Sequence, residues 1–270
     1  MKTSLAAATA LAAVLAAPAL SREIDAGDLY ALPEADVVVL GEVHDNPVHH
    51  AHQAIAVEAI APSAVIFEML SPDQAARVTP QLRASEEALG AVLGWEASGW
   101  PDFGMYYPIF VAAGDAAIVG AAAPRDDVRS ATQLGAGAVF GDEADRYGLS
   151  APLPEAEQML REAGQLMAHC NAMPAEALPG MVEAQRLRDG WLARAALEAV
   201  EETGGPVVVI TGNGHARADW GVPALLAAAA PELDVLTLGQ FEDAAEAAPP
   251  FDLWLVTDAV ERPDPCDAFR

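Results

Sequence analysis

The sequence predicts an α/β protein: a three-layer fold in which a central, mostly parallel sheet lies between helices and carries a helical cap subdomain. Two observations predict it. Short, continuously apolar runs recur along the chain, and amphipathic helical stretches separate them. Runs that are apolar at every position fit strands buried on both faces, the situation inside a parallel sheet covered by helices.

The elements follow in order. Residues 1–19 hold one basic residue, a short Ala-rich apolar run and Ala17-Pro18-Ala19. That pattern is a secretory leader cut after Ala19. Residues 20–270 are then expected as a single soluble domain, periplasmic or secreted. No later apolar stretch is long enough to span a bilayer. The first strand is DVVVLGE (36–42), and NPVHHAHQAIAVEAIA (46–61) is a helix with Asn46 as N-cap and Pro47 in its first turn. SAVIFEM (63–69) and AAIVGAAAPR (116–125) are the second and third strands. GPVVVITGNGH (205–215), LDVLTLGQF (233–241) and FDLWLVTDA (251–259) complete the sheet. Two helical insertions, about 73–113 and 126–202, supply the cap. The last ten residues read as an irregular tail.

Composition narrows the partners. The formal net charge is −26, and Lys2 is the single lysine. Such a surface repels nucleic acid and anionic lipid, so a nucleic-acid partner is excluded. Two cysteines, Cys170 and Cys266, have no zinc spacing; in an oxidising compartment they are candidates for a Cys170–Cys266 bridge.

In an open parallel sheet, ligands gather at the carboxyl ends of the strands. Four strands here end in chemically capable residues: Gly41-Glu42-Val43-His44, then Glu68, then Pro124-Arg125, then Gly212-Asn213-Gly214-His215. The pattern Gly-x-x-His therefore occurs twice. Strand periodicity puts Glu42 and His44 on one side, as an acid–base pair or, with His215, as ligands for a divalent metal. Glu68 ends a buried strand and requires a partner, from His215, Arg125 or His44. Asn46 and Asn213 are expected to line the same crevice. His49, beside the positive end of its helix, should stay neutral, while His52 shares a stripe with Val48 and Ile55 and reads as a core residue. On the long cap helix, Gln185 and Arg188 interrupt an apolar stripe with Met181 and Leu192, and Asp189 lies at its edge. His169 lies on the other cap helix and could reach the same cavity. The segment GWPDFGMYYPIF (99–110) is rich in aromatic side chains suited to a flat apolar ligand. A tyrosine phenolate can ligate haem iron. Covalent c-type haem is excluded, since C-x-x-C-H is absent.

LGEVHDNPVHHAHQ, VIFEML, GWPDFGMYYPI, AAAPR, AHC, MVEAQRLRDGWLA and ITGNGHARADWGVPALL, in that order, resemble the ChaN family of haem-binding uptake proteins, within the superfamily of Tiki, TraB and erythromycin esterase proteins. The resemblance implies an exported protein of haem or iron uptake. It implies haem ligated by a tyrosine, with Tyr106 or Tyr107 in the matching motif, and propionates held by a histidine, for which His49 and His169 stand. It also implies a homodimer and a link to an outer-membrane haem uptake system. The superfamily's enzymes imply the alternative: a metal-dependent or Glu/His-dependent hydrolase, protease or esterase, using Glu42, His44, Glu68 and His215.

Overall fold

The computed structural model describes residues 21–264 together with 266 and 267. The expected leader and its cleavage point lie outside them. Seven strands form one sheet: β1 (Arg22–Glu23), β2 (Val37–Glu42), β3 (Ala64–Phe67), β4 (Ala117–Gly120), β5 (Val207–Gly212), β6 (Val235–Glu242) and β7 (Leu253–Thr257). Their order is β1-β7-β6-β2-β5-β3-β4, and every neighbouring pair is parallel. β2 and β5, the strands carrying the two Gly-x-x-His motifs, are direct neighbours, with Gly41 opposite Thr211 and Glu42 opposite Gly212.

The helices are α1 (Pro47–Ile60), α2 (Pro72–Ala75), α3 (Pro80–Arg83), α4 (Glu86–Leu93), α5 (Phe103–Ala112), α6 (Arg125–Leu134), α7 (Ala136–Phe140), α8 (Glu155–Ala168), α9 (Leu178–Thr203), α10 (Asn213–Ala216) and α11 (Val222–Ala229). The apolar runs divide by parity. Val38, Leu40, Val65, Phe67, Val208 and Ile210 pack on one face, with Ala56, Val57 of α1 and Ile109, Phe110 of α5. Val37, Val39, Ala64, Ile66, Val207 and Val209 pack on the other, with Leu192, Ala193, Ala196 and Leu197 of α9. Period-two alternation, with both faces covered, is what makes each run look apolar throughout.

Three expectations are refined here. β4 is an edge strand: Ala117 is exposed and Ile118 and Val119 are half-buried, because among the described residues one side of it has no neighbouring strand. β1 is only two residues long, too short to leave a pattern, and it extends the opposite edge. α9 is more than a cap element, since its C-terminal half forms the second helical layer. α1 begins as expected: Asn46 Oδ1 accepts from the N–H groups of Val48 and His49, and Pro47 opens the helix. The tail is held. Cys170 and Cys266 form a disulfide with Cα atoms 5.4 Å apart. Arg262 ion-pairs with Glu242 and Asp45 near the N-cap of α1. Among the described residues no helix is long and apolar enough to cross a membrane.

Candidate functional site: two polar clusters and a cleft

The strand-end residues lie at one edge of the sheet, but parity sorts the two carboxylates onto opposite faces. Glu42 follows Val38 and Leu40 and enters the α1/α5 side. Its Oε1 accepts from Tyr106 Oη at 2.9 Å and His44 Nδ1 at 2.8 Å. Its Oε2 lies 3.3 Å from His50 Nδ1. Burial alone would raise the Glu42 carboxyl; the hydrogen bonds and charges of His44 and His50 bring it down to about 2. His50 Nε2 faces the His44 carbonyl at 2.8 Å, while Nδ1 faces Glu42 and Gln53 oxygens. Both ring nitrogens meet acceptors, so both must donate, and His50 is a buried imidazolium. Its pKa is raised accordingly: burial opposes, and Glu42 together with the His44 carbonyl and Gln53 outweighs it.

Glu68 has the parity of Ala64 and Ile66 and enters the α9 side. Its Oε2 accepts from Thr211 Oγ1 at 2.6 Å and from the Gly212 N–H at 2.9 Å. His215 lies between two carboxylates, with Nδ1 2.6 Å from Asp189 Oδ1 and Nε2 3.5 Å from Glu68 Oε1. Burial disfavours its charged form, yet Glu68 and Asp189 raise its pKa. Burial raises the Asp189 carboxyl, and its Oδ2 is buried without a hydrogen bond among the described residues. Gln185 reaches the His215 ring at 3.1 Å.

The repeated glycines let the two motifs interlock. A Cβ at Gly41 would collide with Asn213 Oδ1, and a Cβ at Gly212 would lie 2.8 Å from His44 Nε2. Here glycine serves close approach rather than an unusual backbone angle. His44 thus sits across the two clusters, with Nδ1 on Glu42 and Nε2 beside Gly212, and Trp100 stands 5.0 Å from its ring. Burial lowers its pKa, but the Glu42 hydrogen bond and the nearby carboxylates raise it to about 8.

A cleft of about 750 Å³ opens beside β3 and β4. Glu68, His215, Arg125, Arg188, Trp100 and Trp191 are among its walls. Several expected residues do other work. Asn213 pins β6, pairing with Gln240 through its N–H at 3.1 Å and its carbonyl at 2.5 Å. Asn46 caps α1 and donates to Glu242 at 2.7 Å. His49 is buried; its Nδ1 accepts from the Val43 N–H at 2.9 Å, and Nε2 faces Thr257 Oγ1 at 2.9 Å. That geometry requires the neutral ring, and burial, the largest cause, lowers its pKa to about 4. His52 is half-buried rather than core and bonds Gln240 at 3.0 Å. His169 ends α8 beside the disulfide, with Nδ1 2.8 Å from the Gln165 carbonyl, away from the cleft walls.

Neither candidate for the tyrosine ligand lines the cleft. Tyr106 is fully buried and gives its hydroxyl to Glu42, and burial followed by the Glu42 charge pushes its phenol far up. A phenolate is therefore costly there. Tyr107 donates to the Arg83 carbonyl at 2.9 Å. Nor do Glu42, His44 and His215 make a metal centre. They turn to different carboxylates on different faces, and among the described residues no three His, Cys, Asp or Glu side chains are placed to hold a metal ion. Sequence reasoning left His50 without a role, although its place one helical turn after Asn46 was a signal, and gave Trp191 no role of its own.

The histidines fix a stability profile. His49 has a depressed native pKa, so its contribution is full above the unfolded value of 6.5 and is lost as pH falls toward 4. That limb is worth about 3 kcal/mol at roughly 1.4 kcal/mol per unit. His44 has a raised native pKa, so its contribution is full below 6.5 and is lost as pH rises through about 8. Urea midpoints measured from pH 4 to 9 should peak near the unperturbed histidine value. A midpoint still climbing at pH 9 would contradict the assignment.

A parallel sheet covered on both faces, with a ligand-sized cleft at the carboxyl ends of its strands, defines a small-molecule-binding α/β protein. The chain belongs to the haem-binding uptake family ChaN of the Tiki superfamily, whose profile matches residues 29–226. Among solved structures, ChaN of Campylobacter jejuni, described as binding haem cofacially, aligns with a TM-score of 0.62 at 18% identity, covering 84% of this chain and 88% of that one. The type III effector HopBA1 aligns with a TM-score of 0.42 at 14% identity, over 83% of this chain and 88% of that one. No curated protein matches the sequence significantly.

Proposed function

We propose that the protein is an exported haem-binding protein of haem or iron uptake, working outside the cytoplasm. Family membership supports the ligand class, and the observation that carries the reading here is the cleft. Its volume of about 750 Å³ and its indole walls, Trp100 and Trp191, fit a flat apolar body. Bound there, haem would supply the iron to be carried. The chain's own part is to shield the ring's faces from water and to hold its acidic edge. Tyr106 does not fit iron ligation, since its hydroxyl is committed to Glu42. Export is supported by the leader pattern of residues 1–19 and by a disulfide, which persists in oxidising compartments. A homodimer that shares haem, delivering to an outer-membrane uptake system, completes the reading.

A second reading is Glu/His-dependent hydrolysis. The His215–Asp189 pair favours it, because Asp189 orients the ring while His215 and Glu68 face the cleft. Haem titration separates the two. Micromolar haem should give a shifted Soret band with a ferric five- or six-coordinate spectrum. Tyr106→Phe should leave that spectrum unchanged. A spectrum identical to free haem moves the assignment to hydrolysis.

A further inference from the structure

Arg188 stands in the cleft wall without an ion-pair partner among the described residues. The chain has 40 acidic and 14 basic residues, so carboxylates are abundant. Arg129, Arg146, Arg161, Arg186, Arg217 and Arg262 all pair with one. Arg188 projects from α9 into the cleft, exposed, and makes no hydrogen bond or ion pair among the described residues. It lies near enough to His215 to oppose that ring's positive charge. Glu68 and Asp189 face His215, and neither pairs with Arg188 among the described residues. Arg125 faces the same cleft from the first turn of α6, and among the described residues its one side-chain hydrogen bond is to the Ser98 carbonyl at 3.4 Å, at the limit of such bonds. Asp73, an opposing carboxylate on the wall, is solvent-exposed. Two guanidinium groups without ion-pair partners among the described residues, in a cavity with two indoles, make a site for acidic groups on an aromatic body, because the planar fork matches a carboxylate.

We propose that Arg125 and Arg188 form a carboxylate clamp that holds the acidic groups of a flat aromatic ligand against Trp100 and Trp191. The inference deepens the haem reading and rests on it only for the ligand's identity. Haem propionates are one source of such groups; a free aromatic acid is the other.

The test uses the full mature chain and tryptophan quenching, with metal-free protoporphyrin IX, its dimethyl ester and 2-naphthoate as probes. Each of Arg125→Gln and Arg188→Gln should weaken protoporphyrin IX about tenfold, the effect of losing one charge-assisted bond. The dimethyl ester should bind wild type and the double variant alike. Both residues are exposed, so the variants should fold, which far-UV circular dichroism checks. Arginine-dependent binding of protoporphyrin IX without a haem Soret shift supports the clamp and removes the haem reading. Arginine-dependent binding of 2-naphthoate alone supports the clamp and names a free aromatic acid as the ligand. Haem bound equally by wild type and double variant overturns the clamp and leaves the haem reading standing. No binding of either acid to wild type overturns the clamp.

Discussion

Replacing Cys170 and Cys266 together by serine should lower the unfolding free energy by about 4–5 kcal/mol, the chain-entropy value for a loop near a hundred residues long. The bridge spans a sequence separation of 96, from the end of α8 to the tail, so it constrains most of the second half of the unfolded chain. The cost will not stop at entropy. Between the bridge and β7 the tail carries Arg262, whose guanidinium binds Glu242 and Asp45. That ion pair, with the Asn46 hydrogen bond, holds the Glu242 carboxyl down to about 2. Once the tail frays, Glu242 and Asn46 lose a fixed neighbour at the start of α1. Guanidinium denaturation of oxidised wild type, reduced wild type and the double-serine variant measures this. Reduced wild type should match the variant. Two reactive thiols in denatured, unreduced protein would mean no bridge and no difference.

The sheet was legible because its signal is local. Each run from Val37 to Val256 is apolar at adjacent positions, and six of the seven strands announce themselves in this way. β1 escaped because two residues carry no period. The edge location of the site was legible too, since parallel topology sends Glu42, Glu68 and His215 to one end. Their division into two clusters was half legible. Counting by twos puts Glu42 with Val38 and Leu40, and Glu68 with Ala64 and Ile66. Yet which parity of β2 shares a face with which parity of β3 depends on register through β5, a non-local fact. Tyr106 shows the same limit. The family resemblance implied an iron ligand, whereas the packing of α5 against α1 turns the hydroxyl inward onto Glu42. Arg188 was singled out as an interruption of an apolar stripe. That its charge would be left uncompensated, while Asp189 beside it went to His215, is a matter of side-chain direction on α9 that spacing does not give.

Glu42→Ala should destabilise the protein by about 3–5 kcal/mol, the range for breaking a buried ion pair from one side. Glu42 is the single carboxylate among three donors: Tyr106, His44 and His50. Without it the His50 imidazolium stays buried, still donating to the His44 carbonyl and Gln53 but stripped of counter-charge. Either the ring gives up its proton, leaving an acceptor unsatisfied, or the cluster admits water and α1 loosens from α5. Two further variants apportion the loss. Tyr106→Phe removes one hydrogen bond to a charged acceptor and should cost about 1.5–3 kcal/mol. Glu42→Gln keeps the volume and one acceptor while deleting the charge, so it should fall between the other two. It also has a signature that packing alone would not produce. His44, now raised to about 8 chiefly against the pull of burial by its Glu42 hydrogen bond, should titrate below its unperturbed value of 6.5 or close to it. Histidine ring resonances followed by NMR from pH 5 to 9 read this directly. An unfolding free energy within 1 kcal/mol of wild type for Glu42→Ala, roughly the size of an ordinary surface change, together with an unmoved His44, would leave Glu42 no part in holding the two Gly-x-x-His strands to α1 and α5.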